Sequence, residues 1–253
     1  MVRGLKAAVA AIALSAALVA PQAASALDEA QKQEFGAFIR EYLMANPEIV
    51  EEVQQALAAK REAEAATKAK TAIADNADRI FRAEADIVLG NPAGDVTVVE
   101  FFDYNCGYCK RALSDMNQII EKDPKVRFVL KEFPILGPDS LAVHRVAMSL
   151  RKLMPEKYQE FHIALLTSEA RATEETAIAL ATGLGADEAA LRAGMDDPAI
   201  NDEIRDTYDL ADKLGINGTP SYVVGNETVF GAMGADTIAQ KVANFRTCQS
   251  TVC

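Results

Sequence analysis

Two cysteines two residues apart, Cys106 and Cys109, follow a run of β-branched and aromatic residues, Val96 to Phe102, and open a stretch with helical character, Lys110 to Ile120. C-x-x-C at a strand-to-helix junction is the spacing of a thiol–disulfide redox centre. A helix start presents unpaired N–H groups and a partial positive charge. That field favours a thiolate, so Cys106 reads as the attacking sulfur and Cys109, one turn on, as the resolving sulfur. A buried structural disulfide or half of a zinc site is the blander reading of the spacing. A second local pair, Cys248 and Cys253, stands at the end of the chain, where an oxidised pair is expected in an exported protein. Glu100 and Lys131 are charges set in apolar strands, and a buried acid is costly unless it is neutral, paired or functional. His144 and His162 fall in helical sequence and read as core or surface residues. There is no nucleotide-binding loop or hydrolase motif, and neither a cofactor nor a resident metal is expected.

The 253 residues carry 26 Lys and Arg against 37 Asp and Glu, a formal net charge of −11. That balance argues against nucleic acid or an anionic membrane as partner. Arg3 and Lys6, the apolar run Ala7 to Ala20 and the small residues Ala24-Ser25-Ala26 have the pattern of a secretory signal peptide over residues 1–26. The apolar run is too short for a membrane span. Cleavage there leaves about 227 residues with a net charge of about −13. The leader looks bacterial, so the expected compartment is the periplasm, where cysteine pairs are used as disulfides.

These cysteines need a sheet and a helix to hold them, and the pattern supplies both. Val96 to Phe102 is apolar on both faces and reads as a central strand. Val126 to Phe133 is a second strand. Helical periodicity then runs from Gly137-Pro138-Asp139 to Leu214, in five segments broken at glycine, proline and polar turns. Ser221 to Val224 and Thr228 to Phe230 form a hairpin across Gly225-Asn226, and Asp236 to Phe245 is a last helix. The fold class is α/β, a thioredoxin-like domain over residues 76–253 with an all-helical insertion at about 138–216. Residues 27–75 precede it as helix-forming sequence. Phe35, Phe38, Ile39, Tyr42 and Leu43 make one apolar stripe, Asn46-Pro47 breaks it, and Ile49, Val50, Val53 and Leu57 make another. Beyond Leu57 the sequence is an Ala/Glu/Lys spacer. Such stripes need a cover, either the body of the chain or a second copy, and the spacer favours a second copy.

Residues from about Val96 to Ala243 resemble the DsbA-like branch of the thioredoxin superfamily. Glu100 six residues before Cys106, the C-x-x-C itself, and Gly218-Thr219-Pro220 entering the hairpin carry the resemblance jointly. The preceding segment, with Asn46-Pro47-Glu48-Ile49, is similar to the N-terminal region of the ScsC (suppressor of copper sensitivity) and Com1-like proteins. The resemblance implies a cis Thr219-Pro220 peptide facing the sulfurs, keeping metals and further thiols away and offering Thr219 backbone groups to an extended client chain. An ordinary turn proline is the blander reading of Pro220. The resemblance also implies that Glu100 lies beneath Cys109 and exchanges protons with it. Lys131 is a candidate partner for Glu100, with a snorkelling strand lysine as the equal alternative.

The dipeptide between the cysteines sets the expected direction of chemistry. The strongly oxidising DsbA pattern has Pro-His there, whereas this chain has Gly107-Tyr108, and a neutral tyrosine lends no positive charge to Cys106. Gly-Tyr with Thr before the cis-proline is similar to the DsbC-type isomerases. The expected function is therefore a disulfide isomerase or reductase acting on misfolded exported proteins with cysteines. A membrane-bound thiol–disulfide partner would keep it reduced, and residues 28–58 would make it a homo-oligomer. A DsbA-like dithiol oxidase is the second reading. Copper or zinc binding by the thiolates of a metal-tolerance protein is the reading of another class.

Overall fold

The computed structural model describes residues 28–253, so the leader expected over residues 1–26 lies outside the described residues. Two compact units divide between Ala59 and Lys60. No helix among the described residues is long and apolar enough to cross a membrane.

The first unit is built from helix sequence with good punctuation. Helix α1, Glu29–Ala45, is opened by a capping box, in which Asp28 accepts the Gln31 N–H at 2.8 Å and Gln31 accepts the Asp28 N–H at 3.1 Å. It stops at Asn46, whose backbone and side-chain N–H groups both donate to the Tyr42 carbonyl. Pro47 then leads into α2, Glu48–Asp75. No residue of α1 is buried. Phe35, Phe38, Ile39 and Tyr42 each keep half or more of their surface, and Val50, Val53 and Leu57 of α2 are exposed as well. The stripes foreseen from periodicity exist as uncovered apolar faces.

The second unit holds a five-stranded sheet in the order β1-β3-β2-β4-β5, formed by β1 Ile87–Gly90, β2 Val96–Phe102, β3 Val126–Glu132, β4 Ser221–Val224 and β5 Glu227–Phe230. Strands β2 and β3 are parallel and every other pairing is antiparallel. The parallel pair is joined through α4, Gly107–Lys122, as a parallel connection requires. Alternation along the strands sorts side chains to two faces. Val98, Phe102, Phe128, Leu130, Tyr222 and Val224 pack with Leu113, Met116 and Ile119 of α4 and with Ile238 and Val242 of α10, Ala235–Cys248. Val99, Phe101, Val129 and Val223 face the other way, against Ile73 of α2, Ile80 of α3 (Ala77–Phe81), and Leu210 and Leu214. Between β3 and β4 run α5 Pro138–Leu153, α6 Tyr158–Thr167, α7 Glu174–Gly183, α8 Glu188–Met195 and α9 Pro198–Lys213, the foreseen helical block.

Strand β1 has no counterpart in the sequence reading. Ile87-Val88-Leu89-Gly90 is too short to show a period, and it is a strand only because β3 leaves an edge for it to pair with. Gly90 ends it at φ +72°, where a Cβ would stand 2.9 Å from the Val126 carbonyl oxygen. At the other end of the chain, Cys248 and Cys253 are joined as a disulfide across Gln249, which is left-handed at φ 56°.

Candidate active site

Cys106 is the N-cap residue of α4 and Cys109 its third helical residue. That position is usually held by Ser or Asp, but the Cys106 side chain makes no capping hydrogen bond, its thiol being turned to Thr219. The Cys106 thiol is held down to about 5 by the Cys109 thiol first, then by the Thr219 side chain and the Cys109 and Tyr108 N–H groups, with burial working against them. Cys109 is fully buried, and burial together with its bond to Cys106 and the Glu100 charge drives its thiol far above the ordinary range. One sulfur is thus made ready to ionise and the other to stay protonated. Gly107 is open, for a Cβ there would meet no atom within 4 Å. Tyr108 is 59% exposed, and the Arg111 guanidinium lies 4.2 Å over its ring.

Across from the sulfurs, the Thr219–Pro220 peptide is cis. The Cys106 thiol donates to the Thr219 carbonyl oxygen at 3.1 Å, a contact that only the protonated sulfur makes. Pro220 is anchored by the Gly231 N–H, which donates to its carbonyl at 2.9 Å.

Glu100 is fixed on the cysteine side by strand geometry. Val98, Glu100 and Phe102 share one face of β2, the face that α4 covers, and the lateral neighbours of Glu100 are Leu130 on β3 and Tyr222 on β4. Its carboxyl is buried, and desolvation first, then the Cys106 and Asp115 charges, raises it to about 8. A carboxyl so placed is mostly neutral at pH 7, and its ionised fraction can take a proton from a neighbouring sulfur.

Lys131 does not pair with Glu100, contrary to the expectation from the two strand charges. Parallel register sets Glu100 beside Leu130 and Phe101 beside Lys131, so the period of two sends the two charges to opposite faces of the sheet. Lys131 Nζ instead reaches Asp86 at 2.6 and 2.8 Å and the Arg79 carbonyl at 2.6 Å. Both members are almost fully buried, and burial raises Asp86 to about 6. Lys131→Met therefore leaves an unpaired buried acid. Urea unfolding at pH 8 should show a loss of about 3–5 kcal/mol, smaller at pH 5 where Asp86 holds a proton, with turnover per folded molecule unchanged.

Further residues hold the site that sequence reading did not single out. Asp103 is buried and accepts from the Asn105 N–H at 2.8 Å, the Leu136 N–H at 3.0 Å and the Ser140 hydroxyl at 2.8 Å. Asn105 exchanges side-chain hydrogen bonds with both backbone groups of Ala172. Asp103-x-Asn105 before the cysteine is a turn signal. Their partners, 33 to 67 residues on, leave no local pattern. Cys248 and Cys253 lie in their own disulfide, apart from the Cys106 and Cys109 thiols. Among the described residues no group of three or more His, Cys, Asp or Glu side chains is arranged to hold a metal.

Comparison with known proteins bears on the family and the fold. The signature of the DSBA-like thioredoxin domain matches residues 97–243, and that of the copper resistance protein ScsC N-terminal domain matches residues 31–64. Disulfide bond formation protein D of Bacillus subtilis is 26% identical over 168 residues, 61% of this chain and 74% of that protein. The structure of a thioredoxin-like oxidoreductase from Silicibacter pomeroyi is 40% identical with a TM-score of 0.65, over 68% of this chain and 98% of that one. A linker-deletion variant of Proteus mirabilis ScsC is 25% identical with a TM-score of 0.66, over 89% of this chain and 99% of that one. Some curated relatives are far longer, and the chain spans 24% of the length of the Na(+)/H(+) antiporter NhaA 3 of Salinispora tropica.

Proposed function

The chain belongs to the DSBA-like thioredoxin domain family of thiol–disulfide oxidoreductases, and from that premise we propose that it is a periplasmic disulfide isomerase or reductase working through Cys106 and Cys109. The observation that carries the proposal is the pairing of an acidic thiol at a helix start with a buried partner thiol beside a neutral carboxyl. The Cys106 thiolate attacks a client disulfide, forming a mixed disulfide and releasing one client thiolate. In isomerisation a second client thiolate attacks the client sulfur of that mixed disulfide and frees Cys106. In reduction Cys109 gives its proton to a deprotonated Glu100 and attacks Cys106, leaving a Cys106–Cys109 disulfide and a client reduced by two electrons. A membrane-bound dithiol partner returns those electrons. Thr219 backbone groups guide the extended client past the sulfurs.

One feature supports isomerase over oxidase. The uncovered stripes of residues 28–58 would bring several active sites around one client by joining copies. The low Cys106 value, about 5, is what favours the second reading, a dithiol oxidase. The periplasmic assignment rests on the leader pattern in residues 1–26.

Refolding of scrambled ribonuclease, set against oxidation of the reduced enzyme, tests the direction of chemistry. Full-length protein should excel in the first. A chain starting at Lys60 should fall to monomer mass by light scattering and lose most isomerisation while keeping dithiol reduction. Unchanged mass or undiminished isomerisation would remove the oligomer argument. Tyr108→His places a titratable cation beside Cys106 and should make the disulfide more oxidising, by about 30 mV in glutathione equilibrium for each unit by which the thiol becomes more acidic.

A further inference from the structure

Behind the active-site loop is a closed ring of buried polar groups that the exchange mechanism does not use. Glu132, at the end of β3, is on the same sheet face as Glu100 and Phe102 by alternation. One of its carboxylate oxygens meets His144 Nδ1 of α5, and the other accepts from the hydroxyl of Tyr158, the first residue of α6. Both arms end on one residue. His144 Nε2 accepts the Tyr104 backbone N–H at 3.3 Å, and the Tyr104 hydroxyl donates to the Tyr158 hydroxyl at 3.1 Å. Glu132, His144, Tyr104 and Tyr158 are all buried.

The direction of each bond follows from the chemistry of the groups. An ionised carboxylate only accepts, so Nδ1 must carry the imidazole proton, and a neutral ring then leaves Nε2 as an acceptor. That is the one tautomer able to take the Tyr104 N–H. His162 closes the remaining side, with Nδ1 at 3.3 Å from the Tyr104 hydroxyl, and burial holds its ring neutral at about 4. The neighbouring charge is Arg151, which is paired with Glu203. The rings pack together, with Tyr104 4.7 Å from His144 and 5.0 Å from Phe102, centre to centre.

Tyr104 is two residues before Cys106, in a loop whose only regular neighbours are the end of β2 and the start of α4. We propose that Glu132, His144 and Tyr158 are a positioning clamp, gripping Tyr104 at its backbone and its phenol so that the Cys106 sulfur stays in register with the N-terminus of α4. A loop freed from this grip lets the sulfur leave the Tyr108 and Cys109 N–H groups, and the thiolate loses the contacts that favour it. His144 acts through Tyr104 and touches neither sulfur nor client.

The inference rests on Cys106 being the attacking sulfur, and the test separates the two claims. Ultraviolet thiolate absorbance of the reduced protein is titrated for wild type, His144→Leu, His144→Gln and Tyr158→Phe, with melting temperatures alongside. His144→Leu should move the Cys106 titration up by about half a pH unit or more, a roughly threefold loss of thiolate on its acid side. His144→Gln, with an amide donor for Glu132 and an oxygen for the Tyr104 N–H, should restore it. Tyr158→Phe removes a single hydroxyl, should shift the titration the same way by less, and carries the test if His144→Leu does not fold. The clamp is overturned if the variants lower the melting temperature but leave the titration and the glutathione equilibrium at wild type. An ordinary wild-type titration of Cys106 would instead defeat the reading of it as the attacking sulfur.

Discussion

Cys106→Ser should lose disulfide exchange on every substrate, by at least about a thousandfold, while Cys109→Ser divides the activities. Serine at 106 keeps the N-cap geometry, since a hydroxyl is a good cap, but it offers no thiolate at neutral pH. Cys109→Ser keeps the attacking sulfur and removes its exit. Mixed disulfides with clients should then accumulate on non-reducing gels, and net reduction should stop. Isomerisation should survive in part, because a thiolate of the client itself can free Cys106. An enzyme whose cellular work is isomerisation tolerates the second substitution far better than an oxidase does. Equal loss of ribonuclease unscrambling in both variants would argue for a dithiol mechanism throughout.

Glu100→Gln should make the protein more stable in alkali and slower in the step that Cys109 performs. The folded state raises Glu100 from 4.5 to about 8, so it holds a proton that the unfolded chain has released. Stability then falls as pH rises from about 4.5 towards 8. Glutamine carries no such proton, so the advantage of the variant grows from near zero at pH 4 to about 3–5 kcal/mol at pH 8. The measurement belongs on the oxidised protein, where neither active-site sulfur titrates. In the reduced form Cys106 adds the opposite slope: its folded value of about 5 is below that of a free thiol, so its stabilisation is lost as pH falls through 5. Resolution of a preformed mixed disulfide should slow by about a hundredfold in the variant, the usual scale for a missing general base. Parallel urea curves for wild type and variant between pH 5 and 8 would show that Glu100 titrates normally and is no proton store.

Much of this was legible in the chain. Val96 to Phe102 announced a central strand, and β2 has those bounds with neighbours on both sides. The C-x-x-C after it placed the thiols at a helix start because strand, turn and helix are contiguous and each obeys local rules. The exposed stripes on α1 and α2 were plain from a period near 3.6, and Glu100 stood out because an acid in an all-apolar strand has few explanations. Lys131 stood out by the same logic. Its partner was misjudged because strand pairing register, and hence the face it occupies, is set between strands and not within one.

Residue type and near-neighbour spacing were enough to mark the candidate sulfurs, the helix start they occupy and the order of the elements. Which charges meet was settled by packing. Glu132 finds His144 12 residues away and Tyr158 26 away, and Tyr104 meets His144 across 40. Each of those pairings depends on where α5 and α6 pack over the sheet face, and that packing is driven by apolar burial that carries no local mark of the polar partners it brings together.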